Sequence, residues 1–195
     1  MVIRSPLHFR INTCDPRREL WAAICQYVKK EPKWIPAYET VAAWLGDNQG
    51  RGLICAGTCG LGKSVICVQV LPYLFKRHFD IDVLTVTATE MNQRIDELLK
   101  YCGRDRVIVI DDVGTEAVSV YGRHPFCELV DASERTGTLL IITMNLRTTR
   151  DTDIRRNYPS IESRYGVPTL DRLRATTKVV LFQGVSMRHP AATSA

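Results

Sequence analysis

Residues Gly57-Thr58-Cys59-Gly60-Leu61-Gly62-Lys63-Ser64 place glycines, a lysine and a hydroxyl at the spacing G-x-x-x-x-G-K-[ST]. The chemistry of that spacing is anion capture. Glycines let successive backbone N–H groups curl inward around an anion, in conformations a side chain would forbid. The lysine brings a cation to the β- and γ-phosphates of a nucleotide, and the Ser64 hydroxyl serves as a ligand for Mg²⁺. The flanks suit this use. Leu53-Ile54-Cys55-Ala56 reads as a short buried strand and Val65-Ile66-Cys67-Val68-Gln69-Val70 as the start of a helix. That helix points its positive N-terminal end at the same anion. A glycine-rich turn matches this pattern by chance in about one chain in a hundred, given glycine near 7% of residues. Strand, loop and helix together predict a Walker A element, in which Gly57, Thr58, Cys59, Gly60, Leu61, Gly62, Lys63 and Ser64 bind ATP.

A second group of residues lies downstream. Val107-Ile108-Val109-Ile110-Asp111-Asp112 is an apolar run ending in two carboxylates. Many strands in α/β proteins end in an acid, so alone this is a weak signal; beside a phosphate loop it reads as a Walker B element. Asp111 is then expected to hold Mg²⁺ opposite Ser64, and Asp112 to orient or deprotonate an attacking water. Glu116 competes for that second role. Thr143-Met144-Asn145 ends another apolar run. Ligands of such sheets sit at the carboxyl ends of strands, so Asn145 is read as a sensor of the γ-phosphate and the attacking water. The segment from Arg147 to Lys178 is arginine-rich, with Arg147, Arg150, Arg155, Arg156, Arg164, Arg172 and Arg174 against Asp151, Asp153, Glu162 and Asp171. Arginine forks onto phosphate. The segment therefore fits either an arginine finger on a neighbouring subunit's γ-phosphate or contact to a nucleic-acid backbone, against the plain alternative of a solvated surface.

The rest of the chain has to position these groups. Its 195 residues, 45% hydrophobic and 24% charged, suit one domain with a sizeable core. The net charge of +5 is compatible with a nucleic-acid partner. No apolar run has the length of a membrane span and the N-terminus shows no signal-peptide core, so a cytoplasmic protein without a membrane partner is expected. The 7 cysteines are odd in number and form no C-x-x-C pair, which argues against a disulfide framework or zinc site. Cys59 is either a reactive thiol or a small residue that fits its loop.

Asp15-Pro16 reads as the start of an amphipathic helix to about Lys30, and Tyr38 to Leu45 as a second helix ended by Gly46. The helix after the phosphate loop is expected to reach about His78, bent at Pro72. Val83–Thr87, Val107–Ile110, Leu139–Thr143 and Val179–Phe182 read as further strands. Helices are expected over Met91 to Tyr101 and Pro125 to Glu134, with short pieces near Ile161 and Leu170. Strands alternating with helices predict a doubly wound parallel α/β sheet.

Trp44-Leu45, Arg51-Gly52-Leu53, the phosphate loop, Ile110-Asp111-Asp112-Val113-Gly114-Thr115-Glu116, Thr143-Met144-Asn145 and Arg164 through Leu173 occur in one order. In this the sequence resembles the AAA+ ATPase module of DnaC-type bacterial and phage replicative-helicase loaders, with IstB-type transposition ATPases as close relatives. The resemblance implies a P-loop NTPase fold: a five-stranded parallel sheet ordered 5-1-4-3-2, helices on both faces, and little or no lid domain. The resemblance spans roughly Trp44 to Arg188, so an ATPase domain is expected over 41–189, with a helical extension over residues 1–40 in place of the separate N-terminal domain that loaders usually carry and a loose tail over 190–195. It also implies sensor 1 at Asn145, an arginine finger at Arg172 and a sensor 2 arginine at Arg188. The implied partners are ATP and Mg²⁺, single-stranded DNA along Arg147–Lys178, a replicative helicase, and further copies of the chain in an ATP-dependent homo-oligomer. Asp112 stands where the wider superfamily most often has Glu, and its shorter arm suits a slow switch. The alternatives are a transposition helper, a nucleoside or nucleotide kinase, and a scaffold that binds nucleotide without turnover.

Overall fold

The computed structural model describes residues 9–28, 31–145 and 160–184. The short apolar runs become β1 (Gly52–Gly57), β2 (Val83–Thr87), β3 (Val107–Val113), β4 (Leu139–Met144) and β5 (Thr177–Phe182). All pair in parallel in the order β2-β3-β4-β1-β5, which is the expected 5-1-4-3-2. A parallel sheet is covered on both faces, and the central strands show it: every residue of β4 is buried.

Strand alternation sorts the apolar side chains into two cores. Leu53 and Cys55 of β1, Val107 and Val109 of β3, and Leu139 and Ile141 of β4 face one core. Helices α1 (Pro16–Tyr27), α2 (Pro36–Gly46) and α3 (Leu71–Phe79) contribute Leu20, Ile24, Val41, Trp44, Leu74 and Phe75 to it. The residues between them in the strands, such as Ile54, Ile108, Ile110 and Ile142, face the other core. That core is closed by α4 (Ala88–Gln93), α5 (Ile95–Tyr101), α6 (Pro125–Thr136), α7 (Ile161–Tyr165) and α8 (Val167–Thr176). The N-terminal helix is thus built into the same core as the strand that carries the phosphate loop.

Local sequence explains the helix ends. The Asp15 side chain accepts the Arg18 N–H and Pro16 opens α1. Thr87 and Glu90 form a reciprocal capping box, so α4 starts directly after β2 rather than at Met91. A single helix over Met91 to Tyr101 is not what forms: the turn tightens at Arg94, whose N–H is shared between the Glu90 and Met91 carbonyls, and α5 begins beyond it. After the phosphate loop, Val65–Val70 is a π-helical stretch, with the Leu71 N–H reaching back to the Ile66 carbonyl. Pro72 has no N–H to contribute to a regular ladder here, and the wide turn lies just before it. Gly137, at φ 81°, ends α6 in the left-handed conformation.

Where β1 enters the sheet, Gly52 lies against β4 so closely that an added Cβ would be 2.1 Å from the Leu140 carbonyl oxygen. Gly52→Ala must push two central strands apart. It is expected to lower stability by about 1–3 kcal/mol, read as a lower urea midpoint with an unchanged slope.

Candidate functional site

At the carboxyl end of β1 the chain turns at Gly57, which has φ +130°. A Cβ there would sit 2.1 Å from the Phe182 carbonyl oxygen, the same oxygen that accepts the Thr58 N–H at 3.2 Å. The loop is therefore pinned to β5 at its start and free to curl beyond it. Its lysine folds back inside. Lys63 is only 6% exposed, and its ammonium donates to the Gly57 carbonyl at 3.0 Å, the Thr58 carbonyl at 2.8 Å and the Asn145 Oδ1 at 3.0 Å. All three acceptors are neutral oxygens. Burial holds the Lys63 ammonium below the ordinary lysine range; Cys59, Asp112, Cys55 and Asp111 act in the opposite direction. Among the described residues the ammonium makes no direct ion pair, and Asp111 and Asp112 act on it only from a distance, so the site favours the arrival of an anion. Ser64 opens the following helix without a side-chain cap bond of its own. Cys59 is exposed at the loop surface.

Two strands away, β3 does not stop at Ile110 as its apolar pattern implies but runs on to Val113 through a bulge. Ile110 pairs with Ile142 and Val113 with Met144, so Asp111 and Asp112 together stand opposite Thr143. Asp112 takes φ +57°, a strained conformation for a residue with a side chain. Thr143 ties the bulge down: its hydroxyl accepts the Asp112 N–H at 2.8 Å and donates to Asp111 Oδ1. The Asp112 carbonyl is held in turn by the Thr115 hydroxyl at 2.8 Å. The backbone of Asp112 is clamped while its side chain is exposed. The Asp111 carboxylate and the Ser64 hydroxyl are hard oxygen donors. They fit Mg²⁺, which is held by one or two carboxylates together with substrate phosphates and water.

Glu116 is placed quite differently from Asp112. Its side chain is 1% exposed. One carboxylate oxygen accepts the Gly114 N–H at 2.8 Å and the other accepts the Tyr165 hydroxyl. Arg164 donates to the Glu116 carbonyl and, at 3.2 Å, to the Tyr165 oxygen. Burial, and then the Glu116 carboxylate that takes its hydrogen bond, push the Tyr165 hydroxyl well above the ordinary phenol range. This network joins the loop after β3 to α7. Sequence reasoning missed both Tyr165 and the bonding role of Thr143. A hydroxyl closing an otherwise apolar run, as Thr143 does, has to find a partner once buried, and that was the available signal.

The arginine segment is only partly within the described residues. Arg147, Arg150, Arg155, Arg156 and Arg188 lie outside them. The described members are engaged within the chain: Arg164 as above, Arg172 with Asp131 and Glu134 of α6, each at 3.2 Å, and Arg174 with Asp171 at 3.8 Å. Lys178 donates to the Asp47 carbonyl at 3.3 Å. The structure thus brings Lys63, Asn145, Asp111 and Asp112 to one end of the sheet and docks Arg172 on α6. Among the described residues no helix is long and apolar enough to cross a membrane.

No protein-family model matches the sequence, and no curated protein matches it. Solved structures do. The chain is similar to the DnaC helicase loader, at 19% identity and a TM-score of 0.61 over 85% of this chain and 99% of that one. It is similar to DnaI at 17% identity and a TM-score of 0.58, covering 90% and 95%. It is also similar to the AMPPCP-bound DnaA from Aquifex aeolicus, at 17% identity and a TM-score of 0.57, over 84% of this chain and 52% of that one. These likenesses show the fold, a five-stranded parallel α/β sheet with a glycine loop after its first strand, which this chain shares with them.

The placement of Glu116 has a measurable consequence. Glu116→Ala strands the Gly114 N–H and the Tyr165 hydroxyl, and is expected to cost about 1–3 kcal/mol. Thermal unfolding should register the loss, while nucleotide affinity stays near the wild-type value.

Proposed function

We propose that the chain is a slow ATPase switch of DNA replication: a cytoplasmic helicase loader that binds ATP with Mg²⁺, assembles with further copies of itself on single-stranded DNA, and delivers a replicative helicase. The observation that carries this reading is the Lys63 ammonium, buried and held only by neutral oxygens at the mouth of a glycine loop. A phosphate supplies the charge that site lacks. The replication role is drawn from the likeness to a helicase loader and to DnaA.

On this reading Lys63 exchanges its loop carbonyls for the β- and γ-phosphate oxygens, while the loop N–H groups cradle the same anion. Asn145, already in contact with Lys63, turns its amide toward the γ-phosphate and the incoming water. When bound, Mg²⁺ held by Ser64 and Asp111 neutralises charge on the phosphates. Asp112 accepts a proton from the attacking water as its oxygen bonds to the γ-phosphorus and the bond to the ADP oxygen breaks. The exposed Asp112 side chain on a clamped backbone supports that role; Glu116, with both oxygens occupied, is the poorer base. Arg172 serves as the finger for a neighbour's nucleotide, held until assembly by Asp131 and Glu134.

Three outcomes are expected. Nucleotide at about 100 times its Kd should stabilise the wild type by about 2.7 kcal/mol, a rise in Tm of about 5–10 °C for a chain of this size. Lys63→Met should lose that rise while its own Tm without nucleotide is not lowered, because the buried charge is gone. Asp112→Asn should keep nucleotide affinity and lose a factor of about 10²–10⁴ in phosphate release; a larger loss in Glu116→Gln would assign the base to Glu116 instead.

The function itself is tested by fluorescence anisotropy on a labelled single-stranded oligonucleotide. Binding should require a non-hydrolysable ATP analogue and weaken with salt, at a log–log slope of about −0.7 per neutralised phosphate. No binding at low salt with the analogue present would remove the loader reading.

A further inference from the structure

Thr143 is fully buried, at 0% exposure, at the end of a strand whose other residues are apolar. Its hydroxyl has one hydrogen, and that hydrogen goes to Asp111 Oδ1. Its oxygen accepts the Asp112 N–H at 2.8 Å. One side chain therefore fixes the rotation of the first carboxylate and the backbone of the second. Two residues on, Asn145 takes the Lys63 ammonium at 3.0 Å. The tip of β4 is bonded to the cation of the phosphate loop through one residue and to the carboxylate strand through another.

We infer that Thr143 is the positioning residue for the divalent metal: it occupies Asp111 Oδ1 and leaves the second carboxylate oxygen as the one that would ligate the cation. This rests on the nucleotide-site reading above and assigns it a residue outside the loop and outside the carboxylates. The physical argument is preorganisation. A lone carboxylate at a strand end samples several rotamers, and each must be given up when a metal binds. A hydrogen bond from a buried, rotationally fixed hydroxyl removes that cost beforehand. It also supports the bulge, because the N–H of Asp112, at φ +57°, has a fixed acceptor in the Thr143 hydroxyl. Residues that hydrogen-bond a metal's ligands commonly contribute about 10–100-fold to metal affinity.

The test compares Thr143→Val, which keeps the shape and removes the hydroxyl, with Thr143→Ser, which keeps the hydroxyl. A non-hydrolysable ATP analogue is titrated by calorimetry in Mg²⁺ and again in a chelator. The expected result is that Thr143→Val binds the analogue like wild type in the chelator and loses about 10–100-fold of the strengthening that Mg²⁺ brings, whereas Thr143→Ser retains it. If Thr143→Val does not give a folded protein by circular dichroism, Thr143→Cys replaces it, since a thiol is a weak donor. An unchanged Mg²⁺ dependence in the Val or Cys variant overturns the inference. So does an equal loss with and without Mg²⁺, which marks a general structural role. A wild type that binds no analogue overturns the nucleotide-site reading, and the inference with it.

Discussion

A cation buried against neutral oxygens is the constraint around which this molecule is arranged. Lys63 meets two loop carbonyls and one amide oxygen, and none of these carries the charge that would balance it. Taking an ammonium out of water is costly unless it is paired and hydrogen-bonded, and here only the hydrogen bonds are met. The sheet keeps the lysine there. Gly57 pins the loop to β5, and the parallel order sets β4, with Asn145 at its tip, next to β1. Among the described residues no carboxylate pairs directly with the ammonium, and on the proposed reading a polyphosphate supplies that contact.

The second organising feature is the shared strand end. β4 separates the loop strand from the carboxylate strand and is bonded to both, to Lys63 through Asn145 and to Asp111 and Asp112 through Thr143. The loop lysine and the two carboxylates are thereby joined through one strand end. Behind them, Glu116, Tyr165 and Arg164 tie the loop after β3 to α7, which leads into the helix that carries Arg172.

Much of this was legible in the residues. Strand positions followed from short apolar runs, and the turn after β1 from its glycine spacing. The strand order was anticipated from the family resemblance. What escaped the sequence is equally physical. An extra residue in a strand leaves no mark on an apolar pattern, so the bulge at Asp111 and Asp112 was not visible. Glu116 looked like a free carboxylate because its partner Tyr165 lies 49 residues away, and a buried network of that kind has no local signature. The pairing of Arg172 was hidden for the same reason, since Asp131 and Glu134 come from a different helix. Charge counted along a chain overstates what the folded surface presents.

The central claim is that the Lys63 cradle recognises the outer phosphates of a nucleotide. Calorimetric titration of the wild-type chain with ATP, ADP and AMP in Mg²⁺ tests it most directly. The account predicts tight binding of ATP and ADP and a collapse of affinity for AMP, which has no β-phosphate to reach the buried ammonium. AMP binding as tightly as ATP would contradict it, since recognition would then rest on the base and sugar and the buried charge of Lys63 would have no part in it.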